Sequence, residues 1–175
     1  MPRGRVSRQL AAVLVGLWGM IAAVAVGAAP PLTSPSEKPI LIISGKIEAT
    51  NKGDTAQFDR TMLEALGTVS IETTTPWYQG PQRFEGVSLA KLMSYIGAKG
   101  EHVVAIALND YVTEIPISDF AEYGPILAMK RNGEYMPVRD KGPLFIMYPF
   151  DSKLELKKQI YYSRCAWQVA RLVVK

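Results

Sequence analysis

Residues 73–89 read TTTPWYQGPQRFEGVSL, and the interpretation of this stretch decides the rest of the chain. Immediately before and into it, Thr68–Thr75 is rich in β-branched residues and predicts a strand with Val69, Ile71 and Thr73 on one face. Immediately after it, Ser88 is placed to cap a helix whose apolar positions Leu89, Leu92, Met93 and Ile96 form one stripe, with Gly97 as its stop. Pro76, Gly80, Pro81 and Gly86 lie between and predict a loop that carries Trp77, Tyr78 and Arg83. Rings and a cation on a loop held by a strand and a helix suggest one wall of a ligand pocket.

The same punctuation divides the remainder. Pro39–Ser44 predicts a first strand, and Asn51–Gly53 a turn. Asp54, with Gln57 three residues on, predicts a capped helix whose stripe is Phe58, Met62, Leu63 and Leu66, ended by Gly67. Val103–Leu108 and Tyr111–Ile117 predict a hairpin turned at Asn109-Asp110, and Ser118 caps a helical turn ending at Gly124. Strands are expected at Pro125–Lys130, before the Asn132-Gly133 turn, at Leu144–Tyr148, and over the closing run Tyr161–Val174. Many short strands with a few short helices, not alternating as βαβ, indicate a single α+β domain.

The chain has 175 residues and a formal net charge of +4. Arg3, Arg5 and Arg8 supply three of its 20 basic residues; the other 17 face 16 acidic ones, so the body of the protein is nearly neutral and offers no electrostatic case for nucleic acid. The basic residues 1–9, the apolar run Leu10–Ala29 and the small residues around Gly27-Ala28 predict an export signal, residues 1–28, cleaved after Ala28. An uncleaved anchor is the physical alternative, since the run is long enough to span a bilayer. Either way the body, a domain over residues 39–175 behind a flexible leader at 29–38, is expected in the periplasm. Cys165 is the single cysteine, which excludes an intrachain disulfide and reads as a small buried residue of the last strand. His102 is the single histidine and reads as a solvated turn residue, so neither a zinc site nor a Cys-His pair is supported.

No phosphate-cradling glycine loop or nucleophile elbow is present. What recurs is an aromatic or charged residue beside a turn: Trp77 and Tyr78, Asp110 and Tyr111, Arg139 and Asp140, Tyr148, Arg164 and Trp167. Such a set suits a flat polar heterocycle. Trp77 or Tyr111 would stack the ring; Asp110 or Asp140 would accept two adjacent N–H donors; Arg139 and Arg164 would meet a carbonyl or a hydroxylated tail. Taken singly, such residues are more often core aromatics and solvated charges.

From Leu41 to Val174 the order of short motifs resembles the sulfite-oxidase-type molybdopterin-binding domain. The pieces are Phe84-Glu85-Gly86-Val87-Ser88-Leu89, Asn109-Asp110-Tyr111 with Ile115-Pro116, Asn132-Gly133, Gly142-Pro143-Leu144, Tyr148-Pro149, and Arg164 with Trp167. The resemblance implies a mixed α+β fold around a β-sheet. It also implies a cysteine thiolate for molybdenum near Thr74, where this chain has Thr73-Thr74-Thr75, and a phosphate-binding arginine after Gly142-Pro143-Leu144, where it has Phe145. Threonine is a poor replacement for a soft thiolate, so molybdopterin is not the expected cofactor. The chain resembles the small exported members without the thiolate, some of which are similar to pterin-responsive regulators of the PruR type. That subgroup implies a non-enzymatic protein that binds a reduced pterin and signals to the periplasmic domain of an inner-membrane partner such as a cyclic-di-GMP enzyme. A molybdopterin-dependent oxidoreductase and a ligand-free protein-interaction domain are the alternatives.

Overall fold

The structure, a computed structural model, describes residues 32–175; the expected signal peptide at 1–28 lies outside the described residues. Ten strands and four short helices follow in the order β1 Leu41–Gly45, β2 Ala56–Phe58, α1 Arg60–Ala65, β3 Thr68–Thr75, β4 Tyr78–Ser88, α2 Leu89–Tyr95, β5 His102–Ala107, β6 Val112–Pro116, α3 Ser118–Glu122, β7 Ile126–Arg131, β8 Glu134–Tyr135, β9 Phe145–Met147, α4 Gln159–Arg164 and β10 Val169–Val174. This is the expected α+β arrangement. One sheet has the order β2-β1-β10-β5-β6, and the second runs β3-β4-β7-β8 with β9 also on β7. Among the described residues, only β1 and β10 pair in parallel.

A single hydrophobic cluster draws on both sheets, from Leu41, Ile43 and Val103 in the first to Phe84, Leu127 and Phe145 in the second. Burying an aliphatic or aromatic side chain of this kind contributes roughly 1.5–3 kcal/mol, so this shared core holds the domain without a disulfide. The strand over Thr68–Thr75 has the expected limits, and its Val69, Ile71, Thr73 face passes from exposed to buried along its length. Ser88 caps α2 as expected, its Oγ accepting from Lys91 N–H at 3.4 Å.

Three expectations are corrected. The stretch 76–86 is not a loop: Pro76 and Trp77 make the turn, and Tyr78–Ser88 returns as a strand paired with both β3 and β7. The glycines and proline are accommodated locally. The ladder is irregular opposite Thr73–Thr75, where Gly80 takes φ +67°, and Gly86 lies so close to β7 that a Cβ there would stand 2.0 Å from the Leu127 carbonyl oxygen. The first helix is capped by Asp59, not Asp54; the Asn51 side chain bridges to the Gln57 backbone and holds residues 56–58 as strand. Tyr161–Arg164 belongs to α4 instead of the closing strand, and Gln168, at φ 55°, separates that helix from β10.

The part of the leader within the described residues is also not free. Leu32 is buried in the core, and Ser36 N–H, Glu37 N–H and Ser36 Oγ all donate to Asp59 Oδ2, at 2.8, 3.1 and 3.2 Å. Asp59 thus caps α1 through one oxygen, accepting from Met62 N–H at 2.9 Å, and fastens the incoming chain through the other. No helix among the described residues is long and apolar enough to cross a membrane.

Candidate functional site

The turn of the β3–β4 hairpin brings Trp77 into a group of rings. Its centroid lies 5.3 Å from Phe145, 6.2 Å from Phe150 and Tyr162, and 6.0 Å from Trp167, all tilted or edge-on. Edge-to-face packing of this kind is worth about 0.5–1.5 kcal/mol per pair beyond burial. Beside this cluster opens a cleft of about 410 Å³, walled by Pro76, Trp77, Tyr111, Tyr162 and Trp167, with Gln159 and Ser163 at its polar side. Tyr111 is 43% exposed, parallel to Trp167 (5° between planes, centroids 6.4 Å apart), and donates from its hydroxyl to the Ser163 carbonyl at 2.7 Å. The cleft therefore offers ring faces, the Gln159 amide, and the hydroxyls of Tyr111, Tyr162 and Ser163, the last of which donates to the Ile160 carbonyl at 2.8 Å, a lining suited to a planar heterocycle.

Of the six residues singled out from sequence, Trp77 and Tyr111 share this cleft. Asp110 adjoins Tyr111 at the exposed hairpin turn, with φ 63°. Arg139 is exposed on the short 3₁₀ turn at Val138–Asp140. Asp140, next to it, accepts from Tyr78 hydroxyl at 3.0 Å and from Arg131 at 2.7 Å, so both its oxygens are engaged. Burial and the Asp140 carboxylate push the Tyr78 phenol up to about 12. Lys141, on the same turn, sets its ammonium 4.8 Å from the Tyr78 ring and 6.0 Å from Trp167, and so borders the cleft.

Arg164 sits between two residues that line the cleft, yet its guanidinium pairs with Asp119 at 2.6 Å. Tyr148 hydroxyl donates to the same carboxylate oxygen at 2.6 Å. Asp119, Tyr148 and Arg164 thus form an inward polar triad that fastens α4, one wall of the cleft, to α3.

The lining residues not reached from sequence are Gln159, Tyr162 and Ser163. They stand on α4; the helical phase of Tyr162 and Ser163 was hidden by reading Tyr161–Val174 as strand, and Gln159 lies just before that run. Trp167 carried a usable signal, an aromatic two residues from Cys165 in the motif Arg164 to Trp167, but nothing there indicated that it would face Trp77.

The cleft wall begins at Pro76, directly after Thr73-Thr74-Thr75, where the family resemblance implies a molybdenum thiolate and this chain places oxygen atoms. Thr73 is buried; its Oγ1 accepts from Asp151 N–H at 3.1 Å and donates to the Thr74 carbonyl at 3.2 Å. Thr74 donates from N–H at 2.6 Å and from Oγ1 at 2.8 Å to the Asp151 carboxylate, which also meets Lys157 Nζ at 2.7 Å. The Lys157 ammonium above all, with the Thr74 donors, holds the Asp151 carboxyl well below the usual carboxylate range. Cys165 is the one thiol; burial pushes it well up, only partly offset by the Tyr148 N–H, so it stays protonated. Hard, already hydrogen-bonded oxygens and a neutral buried thiol do not fit molybdenum held by a thiolate. Among the described residues no group of three His, Cys, Asp or Glu side chains is placed to hold a metal ion.

Residues 54–152 match the family described as the oxidoreductase molybdopterin binding domain. The fold is similar to the crystal structure of the sulfane dehydrogenase SoxCD from Paracoccus pantotrophus, with a TM-score of 0.56 and 18% sequence identity over 77% of this chain and 37% of that one. This chain therefore spans little more than a third of that protein's chain. No curated protein sequence is matched.

Proposed function

Because this chain belongs to the oxidoreductase molybdopterin-binding domain family, we propose that it uses the family's frame to bind a reduced, phosphate-free pterin without molybdenum, and that it acts as a periplasmic pterin-responsive regulator of an inner-membrane signalling protein. The observation that carries this reading is the pairing of an open aromatic cleft with a thiolate position closed by Thr73, Thr74 and Asp151. The pterin ring stacks on Tyr111 and Trp167, and its donors and acceptors meet Gln159 and Ser163 at the polar side. Molybdopterin chemistry would need a metal thiolate that this chain's residues do not supply, so ligand capture, not turnover, is the output.

Anaerobic titration of the purified protein with reduced pterins, followed by tryptophan fluorescence, tests the proposal. Saturable quenching is expected. Tyr111→Ala, a half-exposed position, should weaken binding about fivefold, the equivalent of roughly 1 kcal/mol of stacking. Absence of binding by the wild-type protein overturns the reading. Stoichiometric molybdenum in protein matured in a cofactor-competent host overturns it in favour of an oxidoreductase.

A further inference from the structure

The five-stranded sheet has one face in the core and one outside it. Strand registers place Ile42, Arg171, Ile106 and Val112 side by side across β1, β10, β5 and β6, and beside them the row Ser44, Val173, Val104 and Glu114. Their sequence neighbours Leu41, Ile43, Val103, Ala105, Leu172 and Val174 belong to the hydrophobic core, whereas Ile42, Ile106, Val112 and Val173 lie outside it and Val104, on the outer side, is 8% exposed. An antiparallel sheet with one solvated face normally alternates apolar inside with polar outside. Here five of the eight outer positions in the two rows are apolar, Val112 the most exposed of them at 55%.

A groove of about 380 Å³ opens at one end of the first row, where Ile42 and Arg171 meet Lys38, Leu108, Val138 and Pro143. Leu108 and Val138 are 55% and 50% exposed. Neither Lys38 nor Arg171 belongs to any ion pair among the described residues; the acidic residue of the face, Glu114, stands at the far edge beside His102 at 3.9 Å. An apolar surface with uncompensated cations at its groove is the signature of an interaction site, and it selects a partner of opposite charge. Arg171 lies in the middle strand of five. Stacking this face on a second copy about a two-fold axis would bring the two guanidinium groups toward each other, which like-charge repulsion opposes.

We infer that the outer face of this sheet, centred on Arg171 and the Lys38 groove, is the docking surface for a segment of another protein that presents apolar side chains with acidic ones. The inference stands apart from the aromatic cleft and does not rest on the ligand proposed there. A photo-crosslinking residue at Ile106 or Val112, in cells that make the protein, tests it, with Glu134 in the second sheet as the control position. The expected result is an adduct at the two sheet positions and not at Glu134, mapped by mass spectrometry to an apolar, net-acidic segment of one other protein. Arg171→Glu should lower that adduct about tenfold while leaving the circular dichroism spectrum unchanged, and replacing an acidic residue of the captured segment by lysine should restore it. Adducts with a second copy of this chain, with lipid, or with nothing overturn the inference, as does an adduct indifferent to Arg171→Glu.

Discussion

Replacing Arg164 by glutamine separates two roles that one arginine beside a cleft could play. In the structure its guanidinium lies 2.6 Å from Asp119, with the side chains 17% and 7% exposed. Tyr148, fully buried, donates to the same carboxylate. Removing the cation strands a carboxylate in the interior. Breaking a buried pair in this way costs about 3–5 kcal/mol, whereas losing an exposed pair costs about 1 kcal/mol or less. Tyr148 still donates after the substitution and Arg164 is not wholly buried, so the lower end applies, about 3 kcal/mol. For a domain of this size that lowers the melting temperature by roughly 6–12 °C. Urea denaturation followed by circular dichroism measures the loss directly. Adding Asp119→Asn to Arg164→Gln should recover part of it, because the stranded charge is then gone. A loss below about 1 kcal/mol, with pterin affinity falling at unchanged stability, would refute the reasoning and return Arg164 to the cleft as a ligand-binding group.

Gly86→Ala should cost at least about 3 kcal/mol, since the new Cβ meets the Leu127 carbonyl at 2.0 Å and backbone cannot move aside cheaply; a thermal melt checks this. The Asp59 carboxyl is held below the usual range, first by the Met62 N–H and, against burial, by Ser36 and Glu37. A depressed folded value gives stability that is present above about pH 4 and lost as pH falls through that value. Urea midpoints should therefore decline on acidification below about pH 4, and Asp59→Asn should flatten the decline. Tyr78, raised to about 12 by burial and Asp140, contributes stability that is complete below about pH 10 and is lost as pH rises toward its folded value. Tyr78→Phe should remove one late phenol from an alkaline absorbance titration.

The strand Thr68–Thr75, the hairpin after Val103, the Ser88 cap and the Asn132-Gly133 turn were legible because period and turn chemistry agree locally. Asn132 and Gly133 both take positive φ, at 52° and 85°. The hairpin return over Tyr78–Ser88 was not legible. Its glycines and proline look like loop residues, and only the closeness of β7 shows that Gly86 is a contact requirement and not a break. The cap at Asp59 was missed because Asp54 heads an equally good local pattern; the decision comes from Asn51 and from the leader, which needs a buried acceptor for Ser36 and Glu37. Tyr161–Arg164 carries strand-prone aromatics, yet the packing of Tyr162 on Phe150 at 4.8 Å and of Arg164 on Asp119 keeps it helical. Tyr162 and Ser163 of the cleft were hidden by that misreading, and the pairing of Tyr111 with Trp167 spans a separation that no local pattern reports.

The middle strand of the first sheet, β10, comes after the sheet's other four strands in chain order. β10 pairs with β1 on one side and β5 on the other, so the halves β2-β1 and β5-β6 have no common partner until β10 has emerged. The sheet therefore cannot close before residues 169–174 have left the ribosome, and its edges stay open to chaperones or to misassociation until then. A nascent chain stalled before Val169 should remain protease-sensitive throughout, whatever local hairpins it has formed. A chain stalled far enough beyond Lys175 to carry β10 past the exit tunnel should, by contrast, let the domain close.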